Sequence, residues 1–263
     1  MDIIDLIYYV LLGLIQGITE FLPISSSGHL QLIEHLGFSK SSGLFTTIIL
    51  HFATALSILF VFRKKIKEII FFRSEESLSY ILKIILALIP AVVIGLFFEQ
   101  EVKSIFKGQS YLLSLMFFIT GIILYCTNKI KENNNNLTYM TVFLIGLAQA
   151  FAIMPGISRS GLTICTALFL GTNKNEATNF SFIIALPLIF GVTMKYLLFD
   201  YSEVKNEILV VNYIPLLIAF LVTFFVGLLC CRWMIKIVEK NNLVNFSYYC
   251  IGLSLFLLFF YVK

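Results

Sequence analysis

The sequence predicts an all-α integral membrane protein with six transmembrane helices and two re-entrant helical hairpins, arranged as an inverted-topology repeat within one membrane domain, 1–263. Three observations carry this. The composition is 59% hydrophobic and only 13% charged, with a mean hydropathy of +0.94, whereas soluble domains sit near roughly 45–50% and about 25%. Apolar runs approaching the roughly 20 residues needed to cross a bilayer recur along the chain. Finally, the stretch from Gly13 to Gly28 returns 133 residues later as Gly146 to Gly161.

Residues 1–12 are apolar after Asp2 and Asp5, and the pattern runs on to Glu20. Pro23, Gly28 and Gly37 then cut the segment into pieces too short to cross. Residues 1–43 therefore read as a hairpin that dips into the bilayer and returns, a shape tolerated only where protein or a watery cavity surrounds the open backbone. Spans are expected at 44–62, 80–98, 110–127, 178–199, 213–231 and 245–262. The N-terminus has neither a basic n-region nor a small-residue cleavage site, so no cleaved signal is expected. The five cysteines show no disulfide or zinc spacing and read as small core or lipid-facing residues.

Loop charges give the orientation. Arg63, Lys64, Lys65, Lys67, Arg73 and Lys83 lie in 63–83, Lys129 and Lys131 in 128–138, and Arg232, Lys236 and Lys240 in 232–240. Only Lys103, Lys107 and Lys205 occupy the alternate loops 99–109 and 200–212, so eleven basic residues face three. The first set is expected to be cytoplasmic. The same rule accounts for the net charge of +4 without nucleic acid. The run Asn133–Asn136 reads as a solvated turn at the midpoint.

The repeat is ungapped. Gly13, Leu14, Gln16, Ile24, Ser25, Ser27 and Gly28 fall on Gly146, Leu147, Gln149, Ile157, Ser158, Ser160 and Gly161, seven of sixteen positions, where chance gives roughly one or two. The charge count ends span 44–62 inside and its counterpart 178–199 outside. The halves, approximately 1–130 and 139–263, are therefore expected to be inverted, which brings two broken segments together near the midplane.

Those broken segments carry the chemistry. Gln16 and Glu20 share a helix face. Pro23 ends that helix, and Ser25, Ser26, Ser27 and Gly28 can open the next with hydroxyls and free N–H groups, a ready anion site. Gly156 to Gly161 offers a second such turn, with Ser158, Ser160 and a guanidinium from Arg159 suited to bidentate phosphate contact. Serine and glycine alone equally suit helix packing, and His35 or His51 reads as a hydrogen-bonded packing residue. Glu20, His29 and Arg159 stand apart, because ionisable groups are costly in apolar surroundings and the repeat gathers them. The set suits a phosphorylated ligand and phosphoryl transfer better than cation transport.

The stretch GLIQGITEFLPISSSGHL, together with PGISRSGLT from Pro155 to Thr163 and NFSFIIALP from Asn179 to Pro187, resembles the undecaprenyl-diphosphate phosphatase family of bacteria, also called the bacitracin-resistance family. The similarity covers essentially the whole chain. It implies an enzyme that removes the terminal phosphate of undecaprenyl diphosphate, returning the monophosphate carrier to cell-wall synthesis, with a divalent cation (Mg²⁺ or Ca²⁺) required. The family's (Glu/Gln)-x-x-x-Glu element falls on Gln16 and Glu20, its histidine on His29, and its arginine motif on Pro155–Thr163. Gln16 stands where many members carry glutamate, and Lys174, which could touch a phosphate, where arginine is common.

From these roles follows an expected mechanism. Arg159 and the two helix starts hold the diphosphate, with Ser25, Ser27, Ser158, Ser160, Thr163, Gln16 and Lys174 as further binding candidates. Glu20 binds the metal or acts as base, His29 activates a nucleophile or protonates a leaving oxygen, and Ser26 competes with water as nucleophile. The rival function is a lipid-phosphate transporter or flippase on the same inverted repeat; a structural scaffold is the weaker third. The partners implied are a polyprenyl diphosphate lipid and the bilayer, with a homodimer open. The location is the bacterial plasma membrane, with the site opening to the extracytoplasmic side.

Overall fold

Helices fill nearly all of the computed structural model, which describes residues 3–35, 43–72, 76–106, 109–130, 135–199, 201–240 and 242–261. Among these residues no strand forms, and one isolated bridge pairs Asn135 with Thr172. An apolar surrounding favours this outcome, since a helix satisfies its backbone groups internally. The first half contains α1 (Ile3–Thr19), α2 (Ser26–His35), α3 (Leu44–Val61), α4 (Arg63–Ile70), α5 (Ser77–Phe97), α6 (Glu99–Phe106) and α7 (Ser110–Cys126). The second contains α8 (Tyr139–Phe151), α9 (Arg159–Phe169), α10 (Lys174–Leu198), α11 (Tyr201–Val210), α12 (Tyr213–Glu239) and α13 (Val244–Tyr261).

Five helical segments are long and apolar enough to cross a membrane: Leu44–Val61, Ser77–Phe97, Tyr111–Lys129, Lys174–Leu198 and Tyr213–Glu239. The sixth expected span coincides with α13, which falls with α1 and α8 among the shorter apolar helices. Two expected loops are partly helical. The basic run after α3 forms α4, and α12 continues through Arg232 and Lys236 to Glu239. Phe62 separates α4 from α3, whereas α12 runs unbroken past its apolar stretch. Gly37 in the first break, Arg73, Lys107, Lys131, and Asn133 and Asn134 of the midpoint run lie outside the described residues.

The outer surface is apolar. Ile85, Ile89, Val92 and Leu96 of α5, and Leu217, Leu221, Phe225 and Leu229 of α12, are all exposed. In water such faces would aggregate; against lipid they are the solvated side. The core lies where the broken segments meet α3, α10 and α12. Phe21, in the turn after α1, is fully buried there and meets Phe182 of α10 edge-on at 5.6 Å.

Each half's first helix packs against the other half, α1 on α12 and α8 on α5, while α7 packs on α13 and α3 on α10. The two turns touch. A Cβ on Gly28 would stand 3.0 Å from Gly156 Cα, and one on Gly161 would stand 3.0 Å from Pro23 Cβ. These are one contact made twice, since Gly28 and Gly161, like Pro23 and Gly156, lie 133 residues apart. Only glycine leaves room for so close an approach. At the far ends of the spans, Glu207 of α11 accepts hydrogen bonds from the N–H groups of Leu44 (3.0 Å) and Phe45 (2.7 Å), a carboxylate at the start of α3. Glu99 of α6 is paired with Lys195 and Tyr196 of α10.

Candidate active site

Both breaks are built alike. After α1 the chain turns through Pro23 to Ser25, which takes a positive φ of 69°, and α2 starts at Ser26. A left-handed non-glycine residue costs roughly 1–2 kcal/mol, so the turn is held by its surroundings. The Ser25 hydroxyl accepts from Gly28 N–H at 3.3 Å. After α8, Gly156 takes φ of 93°, and the hydroxyl of Ser158 accepts from Gly161 N–H at 3.1 Å as α9 starts at Arg159. Thr120 of α7 fastens this second turn: its hydroxyl donates to Gly156 O at 3.0 Å and accepts from Ser158 N–H at 3.3 Å. Ser26 and Arg159 are thus the first residues of the two half-helices, in equivalent positions.

They meet at Glu20. Its Oε2 accepts from the Ser26 hydroxyl at 2.7 Å and from Gln16 Nε2 at 3.0 Å, and its Oε1 accepts from Arg159 Nη2. The carboxylate side chain is 4% exposed and the guanidinium side chain 18%. Across Glu20 lies His51 of α3, with Nδ1 2.9 Å from Thr47 O and Nε2 3.6 Å from the carboxylate. Glu20, Ser26, Arg159, His51 and Gln149 line a cavity of about 260 Å³ together with Ser25, Ser27, Ser158 and Ser160. A second cavity of about 770 Å³ shares Ser27, Thr47, His51, Ile153, Leu188 and Val192 with it and extends along apolar residues of α5 and α6, such as Leu88, Val92, Leu96 and Phe106, to the Glu99 and Lys195 pair.

Three expected positions need correction. His29 does not face Ser26. The two lie about 60° apart around α2, and partners on other elements hold the ring. Its Nδ1 is 2.7 Å from Ser25 O, its Nε2 is 2.7 Å from Tyr249 OH, and it stacks on Tyr249 and meets Phe117 edge-on. With the carbonyl oxygen able only to accept, Nδ1 carries the hydrogen and Nε2 accepts from the tyrosine. Lys174 is remote because the eleven residues of α9 carry the chain about 16 Å from the turn. Its Nζ donates to Glu239 O at 3.5 Å. Thr163 is fully buried outside the cavity, bonded to Arg159 O and Ser181. Gln16, also fully buried, bears on the site through Glu20.

Sequence reasoning missed His51 and Gln149. The first is an ionisable residue inside an expected span, the signal that singled out Glu20. The second had already been aligned with Gln16.

Among the described residues no three His, Cys, Asp or Glu side chains converge to hold a metal. Glu20 is the one carboxylate lining the smaller cavity. Among the described residues the cavity therefore offers a divalent cation a single carboxylate, and further oxygen ligands would come from amide or hydroxyl groups, phosphate and water.

Apolar spans around a buried carboxylate, serine and arginine define the class: a multi-pass membrane protein with hydrolase-type side chains beside an apolar cavity. The chain belongs to the family described as Bacitracin resistance protein BacA, which it matches over residues 9–256. It is 41% identical to an undecaprenyl-diphosphatase of Christiangramia forsetii, covering 97% of each chain. It is 37% identical to the one of Methanococcus vannielii, over 95% of this chain and 98% of that one. Undecaprenyl-diphosphatase 1 of Bacillus cereus is 34% identical over 96% of both.

Proposed function

We propose that this protein is a membrane phosphatase that hydrolyses undecaprenyl diphosphate to undecaprenyl phosphate and inorganic phosphate, recycling the lipid carrier of peptidoglycan synthesis and conferring bacitracin resistance. The observation that carries the reading is the Ser26 hydroxyl donating to Glu20 at 2.7 Å, with Arg159 on the same carboxylate. A transporter needs a binding site but no serine held against a base. The larger apolar cavity suits the prenyl chain.

In the proposed reaction the two half-helix starts and Arg159 hold the diphosphate and offset charge on the transferred group. Ser26 Oγ bonds to the terminal phosphorus as its proton passes to Glu20. The bond to the bridging oxygen breaks, and undecaprenyl phosphate leaves. Glu20 sheds that proton to solvent and takes one from water, whose oxygen attacks the phosphoserine. The P–Oγ bond breaks, Oγ regains a proton, and inorganic phosphate departs. Direct attack by water is the competing route. A divalent cation, Mg²⁺ or Ca²⁺, with Glu20 as its protein carboxylate, would supply further charge neutralisation.

Purified protein in detergent is expected to release phosphate from a long-chain prenyl diphosphate when Mg²⁺ or Ca²⁺ is present and to stop on chelation. Binding without release would favour transport, and full activity in chelator would remove the cation.

The proposed architecture is six spans and two re-entrant hairpins in inverted halves, in a bacterial plasma membrane, with the site opening outward. With cysteine at position 135 or 205, an impermeant reagent on intact cells should label 205 and spare 135; the reverse pattern overturns the orientation. Light scattering of the detergent-purified protein distinguishes a homodimer from a monomer.

A further inference from the structure

Among the described residues that line the smaller cavity, Gln149 is the one whose buried polar atoms both lack a partner. It is 1% exposed and lines the smaller cavity, yet among the described residues neither its Nε2 nor its Oε1 has a hydrogen-bond partner. The repeat explains how this arises. Its counterpart Gln16 donates to Glu20, four residues on, at 3.0 Å. In the second half the position of Glu20 is taken by Ile153, which offers the amide nothing. As a packing element the residue is costlier than a methionine of the same length, because a buried amide without partners forfeits its hydration.

We infer that Gln149 binds the terminal phosphate of the substrate, and the released inorganic phosphate, directly. Such a phosphate, when singly protonated, presents charged acceptor oxygens and one O–H donor. An amide matches both, with Nε2 donating to an oxygen and Oε1 accepting the O–H. The other polar groups named at the cavity already hold partners: Arg159 donates to Glu20, Ser26 donates to the same carboxylate, Ser25 bonds to Ser27, and Ser160 bonds to Ser158 and to Leu22 O, whereas both amide atoms of Gln149 stand ready. Gln149 therefore gives the cavity a preference for a terminal phosphate over a fully substituted phosphodiester, which lacks the O–H. The inference rests on the assignment of this cavity as the active site.

Gln149→Met keeps the volume and removes the amide. The purified variant is expected to melt no lower than the parent, because an orphaned polar group has been replaced by an apolar one. Its kcat/KM for prenyl diphosphate should fall about 10- to 100-fold, the range for a hydrogen bond to a charged group. Inhibition by inorganic phosphate should weaken by a similar factor. Gln149→Asn, which keeps the amide but withdraws it by one methylene, supplies the milder test and should weaken phosphate inhibition several-fold. Glu20→Gln, assayed beside them, separates the two levels of failure. Parental kcat/KM and phosphate inhibition in both Gln149 variants, with Glu20→Gln inactive, overturn the role of Gln149 and leave the cavity assignment standing. Full activity in Glu20→Gln overturns both.

Discussion

Ser26→Ala should yield a protein that inserts and folds normally but has lost turnover by about a thousandfold or more. The folding half of this expectation follows from Ser26 being only partly buried, while the cap of α2 is made by Ser25 through Gly28 N–H. Removing the Ser26 hydroxyl takes one donor from Glu20 Oε2, which still accepts from Gln16. The activity half follows if Oγ attacks phosphorus, since loss of a nucleophile leaves only the binding contributions to catalysis. Were Ser26 merely a phosphate contact, the loss would be nearer tenfold. A phosphate assay on detergent-purified variant, with thermal melting as the fold control, reads the difference. Substantial turnover would rule out the covalent route and assign the attack to water.

The second large effect concerns the Glu20–Arg159 pair, where charge and chemistry separate. Glu20→Gln should lower kcat by about a hundred- to ten-thousandfold through loss of the base. Arg159→Ala is expected to damage stability as well, because removing one partner of a buried pair strands the other, typically at about 3–5 kcal/mol. Arg159→Lys keeps a charge near Glu20 but not the planar fork, and should fold while losing most activity. The double variant Glu20→Gln/Arg159→Ala should regain melting temperature over Arg159→Ala without regaining turnover. If Arg159→Ala melts like the parent, the pair has no structural weight. Near-parental turnover in Arg159→Lys would show that a point charge suffices.

Much of this was legible because bilayer solvation acts strongly on sequence. The apolar runs placed α3, α5, α7, α10, α12 and α13 within a few residues at most of their limits, except where α12 continues eight residues beyond 231. Glu20 and Arg159 stood out because each is expensive where it lies. What could not be read was direction. Whether His29 points at Ser26 or at Tyr249 depends on α13, some 220 residues away. The approach of His51 to Glu20 depends on how α3 leans over the first hairpin, which no local pattern encodes. The placing of Lys174 rests on the resemblance alone, as the position where arginine is common, and the eleven residues of α9 carry it away from Arg159.

The distance along the chain between Glu20 and Arg159 bears on how the protein is made. The two are 139 residues apart, so at synthesis rates of 5–20 residues per second the carboxylate emerges roughly 7–30 s before its guanidinium. During that interval Glu20 lacks its cationic partner. Its hydrogen-bond partners are already in place: Gln16 precedes Glu20, and Ser26 follows within six residues. The same side chains that dress Glu20 in the finished protein can therefore escort it through biogenesis. The ion pair itself can close only after the second half has been made.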